Sequence, residues 1–278
     1  MTLKVDTYFE NWYDSEVKRQ NTSFSKLKDT VYQKSEIIGK YAYFRLLGDG
    51  MATEHIPGSP VTFMNPDTKQ VSCMLKPYEA YDCIDEPEKK TYNFDLAKEL
   101  AQIASMACSR RSDQLIIDAL SKSTKDKIGN DTTKFSVSLL TAIQEKFDDA
   151  SVPEEDRYIL WTANQRSQLL QETKVTSSDY VNVKALVDGK IDQFLGFKFI
   201  LIPSRKEGGL PRTSTSNMGF AYQKRHVGYA NQQDITSSLN YRPELDALQV
   251  GAKFSAGATI IDEDGVVPFE TKYVEVQA

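Results

Sequence analysis

Apolar residues recur at helical spacing through residues 94–121, FDLAKELAQIASMACSRRSDQLIIDALS, at Leu96, Leu100, Ile103, Ala104, Ala107, Leu115, Ile116, Ala119 and Leu120. The stretch holds neither Gly nor Pro, and its period predicts one long helix, about 40 Å at the α-helical rise. Ser109–Asp113 breaks the apolar stripe, so the mid-section of this helix is expected to face solvent or a neighbouring copy. Upstream the period shortens to two: Val71, Cys73 and Leu75 alternate with Ser72 and Met74, as on a strand. Gly48-Asp49-Gly50, Pro57-Gly58, Pro60 and Asn65-Pro66-Asp67 punctuate the same region. Residues 41–92 therefore read as a long two-stranded ribbon or an irregular β excursion. Isolated ribbons are marginal in water, so this one needs a partner surface. Residues 1–40 offer two short amphipathic helices, around Tyr8, Phe9, Trp12, Tyr13 and Val17 and around Phe24, Leu27 and Val31. A segment so short has no core of its own and must bury those rings elsewhere, on its own chain or on a neighbouring subunit.

Downstream the pattern becomes compact α/β. SVSLLTAIQEKFDDA places Val137, Leu140, Ile143 and Phe147 on one helical face, and YILWT follows as a short apolar strand. Thr162 is positioned to cap a helix over ANQRSQLLQE. Residues 177–190 read as a second short helix or irregular turn, and LGFKFILIP as a central strand. Residues 204–218, SRKEGGLPRTSTSNM, are expected to form a flexible polar loop. The tail is β-prone in GFAYQ, HVGYA, DITSSLNY, LQVGAKFSAGATIID and VVPFETKYVEV, with a turn at Asp264-Gly265.

Composition narrows the chemistry. The 278 residues carry a net charge of −5, which lacks the basic footprint of a nucleic-acid-binding protein. Three cysteines, Cys73, Cys83 and Cys108, fit neither a disulfide framework nor a zinc site. The first residues are charged and aromatic, without the apolar core of a signal peptide, so reduced, intracellular assembly is the expectation. Only two histidines exist, His55 and His226, and no nucleophile elbow, HExxH, P-loop or dinucleotide fingerprint accompanies them. The acids Asp148, Asp149, Glu154, Glu155 and Asp156 bracket a proline turn. A glycan hydrolase using 154–156 is the rival reading, but a solvated turn explains the cluster more simply. No cofactor, metal or catalytic residue is called for, and an enzyme is not expected.

The order of these features carries a resemblance. Pro153 and Arg157, the strand Tyr158–Trp161, the helix Ala163–Glu172, and Gly196-Phe197 opening Phe197–Pro203 resemble tailed-bacteriophage major capsid proteins. The resemblance extends more loosely over nearly the whole chain. It implies an α+β, Hong Kong 97-type fold with four parts. These are an N-terminal arm (1–40), an extended β loop (41–92), a peripheral domain with the spine helix (93–133 and 219–278), and an axial domain (134–218). The loop 204–218 would lie near the five- and six-fold axes. The implied function is a coat protein that self-assembles into pentamers and hexamers of an icosahedral head around double-stranded DNA, without sequence-specific binding. Subunit contacts are assigned to Trp12, Arg45, Asp49, Glu54, Arg110 and Arg111. The implied partners are further copies, a portal protein, a separate scaffolding protein and a cement protein, with assembly in the host cytoplasm and residence in the virion. An encapsulin-type compartment shares the fold and is the nearest alternative.

Overall fold

The computed structural model describes residues 25–48, 50–54, 57–58, 60, 63–85, 96–171 and 193–274. The long apolar period folds as α1 (Leu96–Leu120), unbroken through its polar centre. Two further helices follow, α2 (Val137–Asp149) and α3 (Ala163–Leu170). The Ser136 hydroxyl caps α2. Thr162 and Gln165 cap α3 reciprocally: Thr162 Oγ1 accepts from the Gln165 amide, and Gln165 Oε1 accepts from the Thr162 amide at 2.8 Å. The expected helix around Phe24, Leu27 and Val31 is only a single 3₁₀ turn, Lys28–Thr30. The expected element over 177–190 and the expected helix around Tyr8, Phe9, Trp12, Tyr13 and Val17 lie outside the described residues.

The described strands form three sheets. β1 (Tyr32–Lys34), β4 (Lys76–Asp85), β9 (Val227–Arg242) and β10 (Ala247–Ile260) make one sheet in the order β1-β9-β10-β4. β5 (Arg157–Trp161), β6 (Gln193–Phe194), β7 (Phe197–Leu201), β8 (Ser216–Gln223) and β11 (Val266–Lys272) make a second, in the order β11-β8-β5-β7-β6. β2 (Tyr41–Leu47) and β3 (Thr68–Met74) pair alone as an antiparallel hairpin. The two-stranded ribbon thus ends at Met74. One residue later β4 joins the four-stranded sheet, antiparallel to β10 from Lys76↔Ala256 to Asp85↔Ala247. HVGYA and DITSSLNY are one strand, not two: β9 runs sixteen residues along β10, with register shifts near Lys253–Ala256.

Two cores hold these layers. In the first, Ile116, Ile117 and Leu120 of α1 lie in one continuous cluster with Val250 and Phe254 of β10 and with Phe220 and Tyr222 of β8. The helix therefore serves both large sheets. In the second, Leu140, Ile143 and Phe147 of α2 cover Ile159, Trp161, Phe197 and Phe269 of the five-stranded sheet.

The centre of α1 departs from expectation. Ser105, Ser109, Ser112 and Asp113 are buried, and it is Ile103 that is 56% exposed. Polar residues are tolerable inside because each finds a partner. Ser109 Oγ donates to the Ser105 carbonyl at 3.0 Å, and Ser112 Oγ to the Cys108 carbonyl at 3.1 Å. Asp113 accepts from Ser25 Oγ (3.1 Å), Lys26 N (3.3 Å) and Leu27 N (3.2 Å). The loop 204–218 is also anchored. Gly208, Gly209 and Leu210 are buried, and the Gly208 amide donates to Gln114 Oε1 of α1 at 2.8 Å. At φ +65° with Arg110 backbone against it, Gly208 occupies a place a side chain would not fit.

Candidate subunit interface

The hairpin β2–β3 has two unlike faces, because successive side chains on a strand alternate. Ala42, Phe44, Cys73 and Leu75 turn inward and pack with Ala230 and Ile261. Tyr41, Tyr43, Arg45 and Leu47 turn outward opposite Met74, Ser72, Gln70 and Thr68. Tyr41, Tyr43, Leu47 and Met74 all remain about half or more exposed, as do Met51, Phe63 and Met64 in the connecting loop. Most large apolar side chains left exposed among the described residues lie between 32 and 74. The inner face accounts for the hairpin's attachment; the outer face is apolar surface left uncovered among the described residues, the mark of a protein–protein contact.

The six residues assigned to subunit contacts fall in different places. Trp12 and Asp49 lie outside the described residues. Arg45 stands on the outward face of β2 and lines a cavity of about 730 Å³ with Lys34 and Arg225. Glu54 is exposed in the hairpin's connecting loop. Arg110 and Arg111 are half-buried on α1, and the Arg111 guanidinium lies 4.7 Å from the centroid of the Tyr78 ring on β4. Arg45 and Glu54 thus share the hairpin, whereas Arg110 and Arg111 lie together on α1. Tyr41, Tyr43, Leu47 and Met74 were absent from the assignment. Their signal was the alternation in YAYFRLL, where both phases are apolar.

The described part of the arm is clamped. Besides its bonds to Asp113, Lys26 Nζ donates to the Leu201 carbonyl at 3.1 Å, and Thr30 and Tyr222 hydroxyls meet at 2.6 Å. Burial pushes the Asp113 carboxyl above the usual carboxylate range, against the hydrogen bonds from Lys26, Leu27 and Ser25. Burial likewise raises the Cys73 and Cys108 thiols to about 11, which makes them poor nucleophiles. His226 is held below its ordinary value by burial, with Gln223 Oε1 at 2.8 Å and Asp262 Oδ2 at 3.5 Å. His55 lies outside the described residues.

The acidic turn has a structural role. Arg157, 3% exposed, binds Asp148 Oδ1 at 2.9 Å and donates to the carbonyls of Val152 (2.5 Å) and Pro153 (3.0 Å). Asp156 pairs with Lys198 at 2.7 Å, which lowers its carboxyl below the usual range. Glu154 and Glu155 are exposed on the turn. These carboxylates bracket a solvated corner instead of facing one another across a cleft, as glycoside hydrolysis requires.

Residues 5–272 match the family described as phage capsid protein. The chain belongs to that family. No curated protein sequence matches it. Solved structures extend the fold likeness. The capsid of Cyanophage P-SCSP1u is 15% identical with a TM-score of 0.69, over 89% of this chain and 88% of that one. Mycobacterium phage Che8 is 16% identical with a TM-score of 0.68, over 88% and 90%. A virus-like particle from Pyrococcus furiosus is 14% identical with a TM-score of 0.63, over 94% and 99%. The last shows that the fold also builds particles described in other terms. This phage capsid protein has the Hong Kong 97-type fold expected from its sequence. It is a major capsid protein, a structural component that self-associates in the capsid of the virion.

Proposed function

We propose that this capsid protein assembles into pentamers and hexamers of an icosahedral head that encloses double-stranded DNA, and that the β2–β3 hairpin lies across an adjacent subunit. The observation that carries the hairpin's role is its outward face, where Tyr41, Tyr43, Leu47 and Met74 stay exposed although the strands are fully paired. Apolar area of this kind is stabilised only when another surface covers it. The arm, residues 1–40, runs beside or beneath a neighbour, while its end at Ser25–Thr30 stays clamped to its own α1. The expected split at 218/219 would divide β8, so the peripheral domain is α1 with the β1-β9-β10-β4 sheet, and the axial domain is 134–218 together with the rest of β8 and β11, which complete its five-stranded sheet. The chain's net charge of −5 suits a wall that contains nucleic acid without gripping it. The role is structural and not catalytic. A portal protein, a separate scaffolding protein and a cement protein complete the particle, and assembly takes place in the host cytoplasm.

The test is deletion of residues 49–62. The Gly48 amide already closes the hairpin on the Asp67 carbonyl at 2.7 Å, so the shortened chain keeps its strands. It should fold, by circular dichroism and cooperative unfolding, but form few or no particles in sedimentation and electron microscopy. Normal shells from the deleted chain, or its global unfolding, would refute the hairpin's intersubunit role.

A further inference from the structure

The cavity beside the hairpin has an unusual lining. Lys34, Arg45 and Arg225 surround it together with Tyr32, Phe44 and Ile261, and no described carboxylate is among its walls. Lys34 Nζ donates to the Tyr43 carbonyl at 3.0 Å. The guanidinium groups of Arg45 and Arg225 have no ion-pair partner among the described residues. In a chain of net charge −5, a concave, aromatic-walled surface with three positive charges favours an occupant that is both acidic and apolar. Its volume lies within the roughly 300–1,000 Å³ of sites that enclose a ligand.

One exposed feature of the same chain has that character. β9 and β10 are joined by a turn over 243–246, and Leu245 at its tip is 63% exposed between Glu244 and Asp246. Asp246 accepts from the Tyr241 hydroxyl, which holds the tip's shape. The tip's cation, Arg242, is turned back onto β10, where its Nε donates to Gln249 Oε1 at 2.7 Å. Glu244 and Leu245 are left presented outward. The tip cannot fill the cavity of its own subunit. The cavity lies at the Arg225 end of β9 and the tip beyond the Arg242 end, and sixteen extended residues span about 50 Å.

We propose that the Glu244–Asp246 tip of one subunit seats in the Lys34–Arg45–Arg225 cavity of a second copy. Leu245 then packs on the half-exposed Tyr32 ring, and Glu244 faces Arg45 and Arg225. Each copy offers one tip and one cavity, so the contact is head-to-tail, the kind that propagates around rings and sheets of subunits. It rests on the shell reading and adds to it a specific joint, separate from the outward face of the hairpin.

Two experiments test it on assembled particles. In a Cys83→Ser background, which removes the exposed thiol, the pair Arg45→Cys and Leu245→Cys should give a ladder of covalent multimers with a short bismaleimide. Neither single cysteine should do so. Separately, Arg45→Glu and Glu244→Arg should each lower particle yield about tenfold, the scale expected for an uncompensated interfacial charge. The two together should restore most of it, since every copy then carries the reversed pair. Unchanged yield in both single variants, a double variant no better than the singles, or particles of the cysteine pair that give no ladder would overturn the contact. Wild-type chain that forms no particle under any condition would instead sink the shell reading itself.

Discussion

Asp113 is the most informative single substitution in the subunit. It is 2% exposed on α1 and accepts three hydrogen bonds from residues 86 to 88 positions earlier. Asp113→Ala leaves the Leu27 amide, at a fully buried residue, with no acceptor, and strands the Lys26 amide and Ser25 hydroxyl in part-buried positions. An unsatisfied buried donor costs about 1–3 kcal/mol; with water rescuing the two part-buried donors, the loss should be about 2–4 kcal/mol. Asp113→Asn keeps one acceptor oxygen, loses the bond to one donor and removes a buried charge, so it should cost less than the alanine variant. The sign of its pH effect is distinctive. The folded carboxyl titrates above 3.8, so the folded state binds the proton more tightly than the unfolded chain. The group's contribution therefore becomes more favourable as pH falls through the folded value toward 3.8. Urea unfolding of unassembled protein, followed through buried Trp161, would report the stability of each variant. Hydrogen exchange would report whether residues 25–31 detach. An alanine variant as stable as wild type, with unchanged protection at 25–31, would refute the clamp.

Two further predictions concern Arg157 and His226. Arg157→Ala should cost about 2–4 kcal/mol in the same unfolding assay, from lost charge-assisted bonds to the Val152 and Pro153 carbonyls and lost packing; Asp148, half exposed, simply returns to water. A variant within about 0.5 kcal/mol of wild type would show that the turn does not depend on it. His226 has a folded value below 6.5, so the unfolded chain takes up its proton first. Its stability contribution is full above 6.5 and is lost as pH falls from there through the folded value. His226→Asn should flatten unfolding free energy against pH in that window, and an unchanged slope would count against the assignment.

What could be read from the sequence was whatever local period and caps encode. The run of α1, the face of α2 and the Thr162–Gln165 capping box all depend on residues within a few positions of one another. What could not be read depends on partners far along the chain. Ser109–Asp113 looks like a solvent face because its acceptors and donors, above all Ser25–Leu27, are remote in sequence. Gly208-Gly209 looks flexible for the same reason, since Gln114 holds it from across the fold. β9 was divided because Asn231, Gln232 and Gln233 interrupt its apolar residues at the place where the register with β10 shifts. The cavity shared by Arg45 and Arg225 is equally invisible to local pattern, because its lining comes from distant parts of the chain.

The cavity at Arg225 adjoins the place where the two large sheets are tied. The chain passes between the sheets at Lys224–His226 and again at Glu263–Gly265, and these crossings touch. The Ile261 amide donates to the His226 carbonyl at 2.7 Å, and a Cβ on Gly265 would collide with the imidazole. The segment leaving α1 joins them, with Ser123 Oγ donating to Glu263 at 2.8 Å and Lys125 paired with Asp264. Three passages of chain therefore meet at one joint, while Ile116, Ile117 and Leu120 grip both sheets through a shared core. An angle held by a core and by three chain crossings resists bending far more than one held by a single linker. The hairpin's outer face and the β9–β10 tip have no comparable cover among the described residues. A wall built this way keeps the subunit's internal geometry fixed and places the adjustable contacts at its projecting ends, where neighbouring copies meet.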